Sequence, residues 1–146
     1  MKYEKSCGAV LFTRRNGNIQ YVIVKSRSGG YGFPKGHTEG NETETETALR
    51  EIREETGICP RIMNTFRETD TYNLPNRKNT EKTVTYFLAE YENQEIVMQE
   101  QELSGVYLMS YGAAMRVLRI KRLQEILRQA NTFLTKRDTG LQNVAP

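Results

Sequence analysis

The sequence predicts an α/β (α+β) fold in which a mixed β-sheet carries helices on its faces. Apolar, β-branched stretches of strand length recur along the chain, one amphipathic helix interrupts them, and two further helical stretches follow near the C-terminus. The strands between the first and second helices favour antiparallel pairing. Because 146 residues is the usual size of one domain, we expect a single domain over residues 1–136 and a flexible tail over residues 137–146.

Five strands are predicted. The first is a largely buried apolar run, and the second alternates after an Asn-Gly-Asn turn, which favours a hairpin. The fourth, rich in Thr, Val, Tyr and Phe, has the strongest β character. The strands are predicted at residues 6–13, 19–25, 61–71, 83–91 and 106–109. Residues 26–41 are predicted to form a loop whose length, for so small a domain, indicates a function.

The first helix is predicted over residues 41–56. Asn41 is the expected N-cap, with Glu44 three residues later as in a capping box, and Gly57 ends the helix. Its apolar stripe is expected to consist of Ala48, Leu49 and Ile52, with Thr45 extending it. Two more helices are predicted over residues 111–118 and 121–133.

Composition and charge exclude several classes of protein. A net charge of +3 is too weak to predict a duplex nucleic acid partner, and no apolar run is long enough to span a membrane. The N-terminus lacks the apolar stretch of a secretory signal, so we expect a cytoplasmic protein. Cys7 and Cys59 are isolated, which argues against a zinc site or a disulfide. The sequence does not decide the oligomeric state, and we favour a monomer.

One edge of the first helix carries an unusual concentration of negative charge. Glu51, Glu54 and Glu55 are separated by three and four residues, so they project from the same side and repel one another. A hard divalent cation such as Mg²⁺ or Mn²⁺ would relieve this repulsion and also bind phosphate oxygens. The alternative is an ordinary solvated acidic face paired with Arg50 and Arg53.

The wider spacing favours the metal site. Gly36, Glu42, Arg50 and the run from Glu51 to Ile58 resemble the Nudix box at every defined position. The resemblance implies an α/β/α sandwich in which the box forms a loop-helix-loop motif. It also implies that Mg²⁺ or Mn²⁺, more than one ion once substrate is bound, has as ligands Glu51, Glu54, Glu55 and the carbonyl group of Gly36.

The resemblance also implies roles for the other box residues. Glu42 and Arg50 would brace the helix and orient Glu51. The general base would be a carboxylate, either Glu54 or Glu51 within the box, or a glutamate from a loop near the penultimate strand. Glu102 is the candidate in that loop, with Glu100 behind it, and an incidental exposed acid is the alternative for Glu102.

Segments outside the box resemble one branch of the family, the asymmetrical diadenosine tetraphosphate hydrolases. The resemblance lies in Tyr-Gly-Phe-Pro-Lys-Gly-His at 31–37, Lys-Thr-Val-Thr-Tyr-Phe-Leu-Ala-Glu at 82–90, and Gln-Ala-Asn-Thr-Phe-Leu at 129–134. It implies a small-molecule nucleotide substrate, diadenosine tetraphosphate, cut to ATP and AMP. The sequence departs from this branch at Tyr31, where tryptophan is usual, and at Gly40-Asn41, where Pro-Gly is common.

The expected substrate contacts divide by chemistry. The phosphate chain would be bound by the cationic side chains Lys35, His37, Arg77 and Lys82. Tyr86 and Phe133 would sandwich an adenine, with packing in the core as the alternative for both rings. Tyr72 is a further candidate for lining the pocket.

Two alternatives to this function stay open. The same chemistry could act on a nucleoside triphosphate, a diphosphoinositol polyphosphate or a 5′-triphosphorylated RNA end. A non-catalytic Nudix-like module that senses a nucleotide is disfavoured, because the sequence retains all three box carboxylates of Glu51, Glu54 and Glu55.

Overall fold

The computed structural model describes residues 1–143, with side chains through residue 138. Seven strands and three helices follow one another along this part of the chain. The strands are β1 Lys2–Arg15, β2 Asn18–Ser26, β3 Tyr31–Gly32, β4 Lys35–His37, β5 Arg61–Asn73, β6 Thr80–Glu90 and β7 Leu103–Met109. The helices are α1 Glu44–Thr56, α2 Tyr111–Val117 and α3 Lys121–Asn143.

The strands form one mixed sheet, as predicted. Its central path runs β3-β2-β1-β6-β5, with β4 paired to β1 and β7 paired to β2. β1 and β6 are parallel over a long register, whereas all the other pairs are antiparallel. The predicted hairpin between the first two strands and the antiparallel pairing of β5 with β6 are both confirmed.

The sheet is buried on both faces, which makes the fold an α/β/α sandwich. Alternate residues of β1 point to opposite sides. Val10 and Phe12 belong to the core cluster shared with α2 and α3, and Ala9 and Leu11 to the cluster shared with α1. The predicted fold class is therefore confirmed, with α1 on one face and α2 and α3 on the other.

The predicted loop at residues 26–41 contains two short strands that the sequence did not indicate. β1 and β2 pair only toward their turn, where Phe12 lies opposite Tyr21. β4 pairs with β1 at Ser6 to Gly8, and β3 pairs with the other end of β2. A strand of two or three residues has no alternating pattern to detect, so only these pairings reveal it.

Two details of the first helix differ from the prediction. Thr43, not Asn41, is the N-cap, and Glu46 completes the capping box, because the side chain of Glu44 instead pairs with Lys5 and Arg67. Leu49 is 38% exposed and lies outside the buried stripe. That stripe consists of Thr47, Ala48, Ile52, Glu55 and Thr56. The predicted end at Gly57 is confirmed, with φ at 75°.

The last helix is longer than predicted. α3 continues to Asn143, well past the expected end at Phe133, so the predicted tail of residues 137–146 is helical as far as Asn143. Residues 144–146 of that tail lie outside the described residues. Within residues 1–143, none of the helices has the length and apolar character needed to cross a lipid bilayer.

Candidate active site

The box residues line one polar cavity of about 450 Å³ at the end of the sheet where β1 and β2 separate. The cavity lies between the acidic edge of α1, strand β4, and the loop that precedes β7. Its walls contain eight predicted site residues, namely Lys35, Gly36, His37, Glu51, Glu54, Glu55, Lys82 and Glu102. Arg77, Tyr86 and Phe133 do not line it.

Arg50 makes hydrogen bonds to several groups along the acidic edge of α1. Its guanidinium donates to both carboxylate oxygens of Glu42, at 2.6 and 3.0 Å, and to the His37 carbonyl at 2.8 Å. It also donates to Glu51 at 2.8 Å and to Glu54 at 3.1 Å. These contacts hold the pKa of Glu42 down at about 2. Arg50 therefore ties α1 to the β4 segment and fixes the direction of the Glu51 carboxylate.

Gly36 allows Glu51 to approach the backbone of β4. A Cβ atom at position 36 would overlap the carboxylate of Glu51. The Glu51 side chain is only 13% exposed, and this burial raises its pKa although Arg50 opposes the effect. A glycine is therefore required here for close packing. Its backbone conformation is not the reason, because its φ lies outside the left-handed region.

Glu55 is the most buried of the three box carboxylates. It is 6% exposed, and its Oε1 accepts a hydrogen bond from the backbone N–H of Lys35 at 3.2 Å. Burial raises the pKa of Glu55 to about 8, and the neighbouring charge of Glu51 adds to the effect. A buried carboxylate of this kind is expected to ionise readily only when a cation lies beside it.

Glu102 enters the cavity from the loop before β7, opposite the helix. Its negative charge is close enough to raise the pKa values of both Glu51 and Glu55. The loop is fixed through its backbone, where Gln99 accepts from the N–H of Glu102 and the Glu102 carbonyl accepts from Arg27. Glu100 is held in the same way, through a hydrogen bond from Arg27 to its carbonyl.

Two lysines also line the cavity, Lys35 on β4 and Lys82 on β6. The charge of Lys35 is close enough to affect the pKa of Lys82. Burial, and then the charge of Lys35, lowers the pKa of Lys82 to about 8. Neither lysine has an ion-pair partner within the described part of the chain. Two adjacent cations without a counterion are suited to binding a polyanion.

The other predicted cationic residues differ in position. His37 lines the cavity and its Nε2 lies 3.7 Å from Glu4. Arg77 is 64% exposed in the loop before β6 and forms an ion pair with the same Glu4. Arg77 is thus outside the cavity, and Glu4 lies between it and His37.

The predicted adenine sandwich is not present. Tyr86 is 1% exposed and packs edge to face against Phe33, with ring centroids 5.5 Å apart, so neither face of its ring is open to a base. Phe133 is half-buried and packs against Phe66 at 5.8 Å. Both rings belong to the core between the sheet and α3, which was the alternative considered for each.

The sequence did not single out four other residues of the cavity wall, namely Ser6, Glu39, Gln99 and Leu103. Ser6 lies inside a strand that reads as uniformly buried, and the others lie in polar loops without a motif. The one indication in the sequence was the alternation of side chains along β1, which places Ser6 on the same face of the sheet as Val10.

The donor set fits a hard divalent cation, although its members are not already gathered around one point. Carboxylate and carbonyl oxygens are the preferred ligands of Mg²⁺ and Mn²⁺, and Glu55 is a buried carboxylate that a cation would stabilise. Among the described residues, no three His, Cys, Asp or Glu side chains are grouped closely enough to hold an ion. Two of these carboxylates, those of Glu51 and Glu54, instead accept hydrogen bonds from Arg50.

The fold and the box agree with a comparison to known families. The protein-family model described as the NUDIX domain matches residues 2–130 of this chain. The chain therefore belongs to the Nudix hydrolase family.

Several relatives carry the same description. The asymmetrical bis(5'-nucleosyl)-tetraphosphatase of Mus musculus is 30% identical over 142 residues, covering 89% of this chain and 95% of that protein. The protein of the same description from Caenorhabditis elegans is 24% identical over 132 residues, covering 89% and 96%.

Solved structures show the same fold. A crystal structure of a C. elegans Ap4A hydrolase binary complex matches with a TM-score of 0.83 at 24% identity, covering 91% of this chain and 98% of that one. The NUDIX domain of Shewanella oneidensis NrtR complexed with ADP ribose matches with a TM-score of 0.73 at 20% identity, covering 92% and 90%.

Proposed function

We propose that this protein is a divalent-metal-dependent hydrolase that cleaves diadenosine tetraphosphate to ATP and AMP. The observation that carries the proposal is the presence of opposite charges in one cavity. Five glutamates line it together with Lys35 and Lys82, two lysines that have no ion-pair partner among the described residues. A metal-bound polyphosphate chain matches both kinds of charge. Relatives described as asymmetrical tetraphosphatases support the choice of substrate.

Glu51, Glu54, Glu55 and the Gly36 carbonyl would hold Mg²⁺ or Mn²⁺, with more than one ion present when substrate is bound. Bound cations would neutralise phosphate charge and lower the pKa of a water molecule. The chain's own contribution is a set of oxygen donors that a bound cation would draw together. Arg50 directs Glu51, and the close contact of Glu51 with Gly36 brings the carboxylate to the backbone of β4.

Hydrolysis requires a carboxylate that accepts a proton from the attacking water. A bond forms between the water oxygen and phosphorus, the anhydride P–O bond breaks, and the leaving phosphate keeps the electron pair. Glu54 is half-exposed at the mouth of the cavity, and Glu102 faces the box from the opposite loop. The two candidates are separable, because replacing a base removes the acidic limb of the pH–rate profile, whereas replacing a ligand weakens metal affinity.

Tyr72 replaces Tyr86 in our proposal for base stacking. Tyr72 is 37% exposed and lies directly opposite Lys82 in the antiparallel pairing of β5 with β6, so both side chains lie on the same face of the sheet. An adenine stacked on Tyr72 would have its phosphates near Lys82. Stacking of a base on an aromatic ring contributes about 1–3 kcal/mol.

The test is hydrolysis of diadenosine tetraphosphate with Mg²⁺ in ¹⁸O-labelled water. We expect ATP and AMP as products, with the label in AMP, because the attacked phosphorus is the one farthest from the centre of the bridge. Chelation of the metal should abolish turnover. Formation of two ADP molecules would contradict the asymmetric cleavage. Faster turnover of a nucleoside triphosphate, a diphosphoinositol polyphosphate or a 5′-triphosphorylated RNA would assign the alternative substrate.

A further inference from the structure

Ser6 is a buried residue of the cavity wall whose hydroxyl has no hydrogen-bond partner. The residue is 0% exposed, and its Oγ neither donates to nor accepts from any described protein atom. An unsatisfied buried hydroxyl destabilises a folded protein, because it gives up its hydrogen bonds to water without replacing them. Its place in the wall of the active-site cavity indicates that a ligand supplies the missing partner.

The pairing of the strands places Ser6 between the two lysines. β4 and β6 lie on opposite sides of β1. Lys35 lies opposite Gly8 and Lys82 opposite Glu4. Residues directly opposite each other share a face of the sheet, and alternate residues of a strand share a face as well. Both lysine side chains therefore lie on the face of β1 that carries Ser6, and Ser6 is midway between Glu4 and Gly8 along the strand.

The two ammonium groups have reason to separate when an anion arrives. They repel each other, and neither has a counterion among the described residues. A phosphate oxygen placed between them would accept from both lysines and would come to lie above β1 at the position of Ser6. The Ser6 hydroxyl is an uncharged donor there, without a partner among the described residues.

We propose that Ser6 binds the polyphosphate chain, donating its hydroxyl hydrogen to a phosphate oxygen held between Lys35 and Lys82. The inference rests on the proposed function only in needing a polyphosphate in the cavity, whichever nucleotide carries it. Hydrogen bonds to charged groups are stronger than those between neutral groups. Ser6 thus exchanges stability of the free protein for affinity toward the ligand.

Thr85 provides a matched control. It is the residue of β6 directly opposite Cys7, and it is likewise 0% exposed with an unpartnered hydroxyl. Its side chain lies on the other face of the sheet, toward α1, and it does not line the cavity. Substituting Thr85→Val removes a buried hydroxyl without touching the proposed contact.

The experiment measures binding of inorganic tripolyphosphate by calorimetry in Mg²⁺ buffer for the wild type, Ser6→Ala and Thr85→Val, together with the melting temperature of each. We expect Ser6→Ala to raise Kd about tenfold or more while its Tm stays equal or rises. We expect Thr85→Val to leave Kd unchanged while its Tm also stays equal or rises. Ser6→Cys, which keeps the size but donates weakly, should give an intermediate Kd.

An unchanged Kd in Ser6→Ala would overturn the inference, as would an equal loss of affinity in Ser6→Ala and Thr85→Val. Failure of the proposed function looks different. A wild type that binds tripolyphosphate through Ser6 but does not hydrolyse diadenosine tetraphosphate would remove the substrate assignment and leave the role of Ser6 intact.

Discussion

Two clusters of arginine and acidic side chains lie at different places in this molecule, and they differ in charge balance. At the cavity, the single Arg50 contacts the carboxylates of Glu42, Glu51 and Glu54. Where β6 ends, the single carboxylate of Glu90 accepts from two arginines, Arg14 at 2.7 Å and Arg61 at 2.9 Å. We call these the Arg50 cluster and the Glu90 cluster.

The comparison shows how an ion-pair network can indicate function. Glu90 is 9% exposed and its negative charge is fully matched, so the Glu90 cluster has the composition of a structural network. The Arg50 cluster keeps excess negative charge beside the buried Glu55, and Glu102 adds to it. Excess charge of one sign in a partly buried site is costly unless a ligand of opposite charge binds there.

The largest expected effect comes from removing a carboxylate from each environment. Glu54→Gln should lower kcat at least about 100-fold, because it removes a proposed metal ligand or base. Glu90→Gln should leave kcat within about twofold, because it lies outside the cavity. Steady-state assays with a Mg²⁺ titration measure both, and circular dichroism verifies the fold. Full activity of Glu54→Gln would refute the metal-site assignment.

The arginines should differ in their effect on stability. Arg50→Gln is expected to lower the free energy of unfolding by about 3 kcal/mol, since it leaves several partly buried carboxylates without a cation. Added Mg²⁺ should restore more stability to this variant than it adds to the wild type. Arg14→Gln should cost about 1 kcal/mol or less, because Arg61 still pairs with Glu90. Urea denaturation with and without Mg²⁺ makes the comparison, and equal losses would contradict it.

The cavity should also respond to pH through Lys82. Its pKa is lowered to about 8, so the side chain is charged below that pH and neutral above it. We expect kcat/KM for a polyphosphate substrate to fall as pH rises through about 8, by up to about tenfold. Lys82→Met should have lower activity throughout and should lack this fall. A wild-type profile that is flat between pH 7 and 9 would count against a charged Lys82 as a substrate contact.

The smallest effect is expected at the rim of the Glu90 cluster. The Arg61 side chain is 74% exposed, and exposed ion pairs contribute about 0–1 kcal/mol. Arg61→Gln should therefore change the free energy of unfolding by less than about 1 kcal/mol and leave turnover unchanged. A larger loss of stability, measured at low and high salt, would show that Glu90 depends on both arginines.

Much of the fold was predictable because its signals are local. Strands of seven or more residues show their apolar or β-branched character directly, and the end of α1 at Gly57 follows from a residue that tolerates positive φ. The exact start of α1 was not predictable. Asn41 and Thr43 are both good N-cap residues followed three residues later by a glutamate. The glutamate that would complete a capping box with Asn41 is Glu44, and its carboxylate accepts hydrogen bonds from Arg67 on β5 instead.

The aromatic residues of the expected substrate site show the same limit. Tyr86 and Tyr72 both lie on strands. The resemblance placed Tyr86 near a nucleotide, whereas Tyr72 was a candidate because of its position before the long strand. The two rings differ in burial, because Tyr86 packs in the core between the sheet and α3, whereas Tyr72 is 37% exposed. Burial depends on which helix covers which part of the sheet, and the sequence of a single strand does not indicate this.

The sequence by itself determined the three glutamates on one side of a helix, the glycine and arginine that accompany them, and the mixed sheet that carries the motif. These follow from periodicity and spacing within one element. Only the tertiary structure decided that Lys35 and Lys82 lie on opposite sides of β1, that Ser6 lies on the same face between them, and that Glu102 lines the same cavity as the box. Those arrangements join residues from separate strands and loops, and their proximity comes from strand pairing and register.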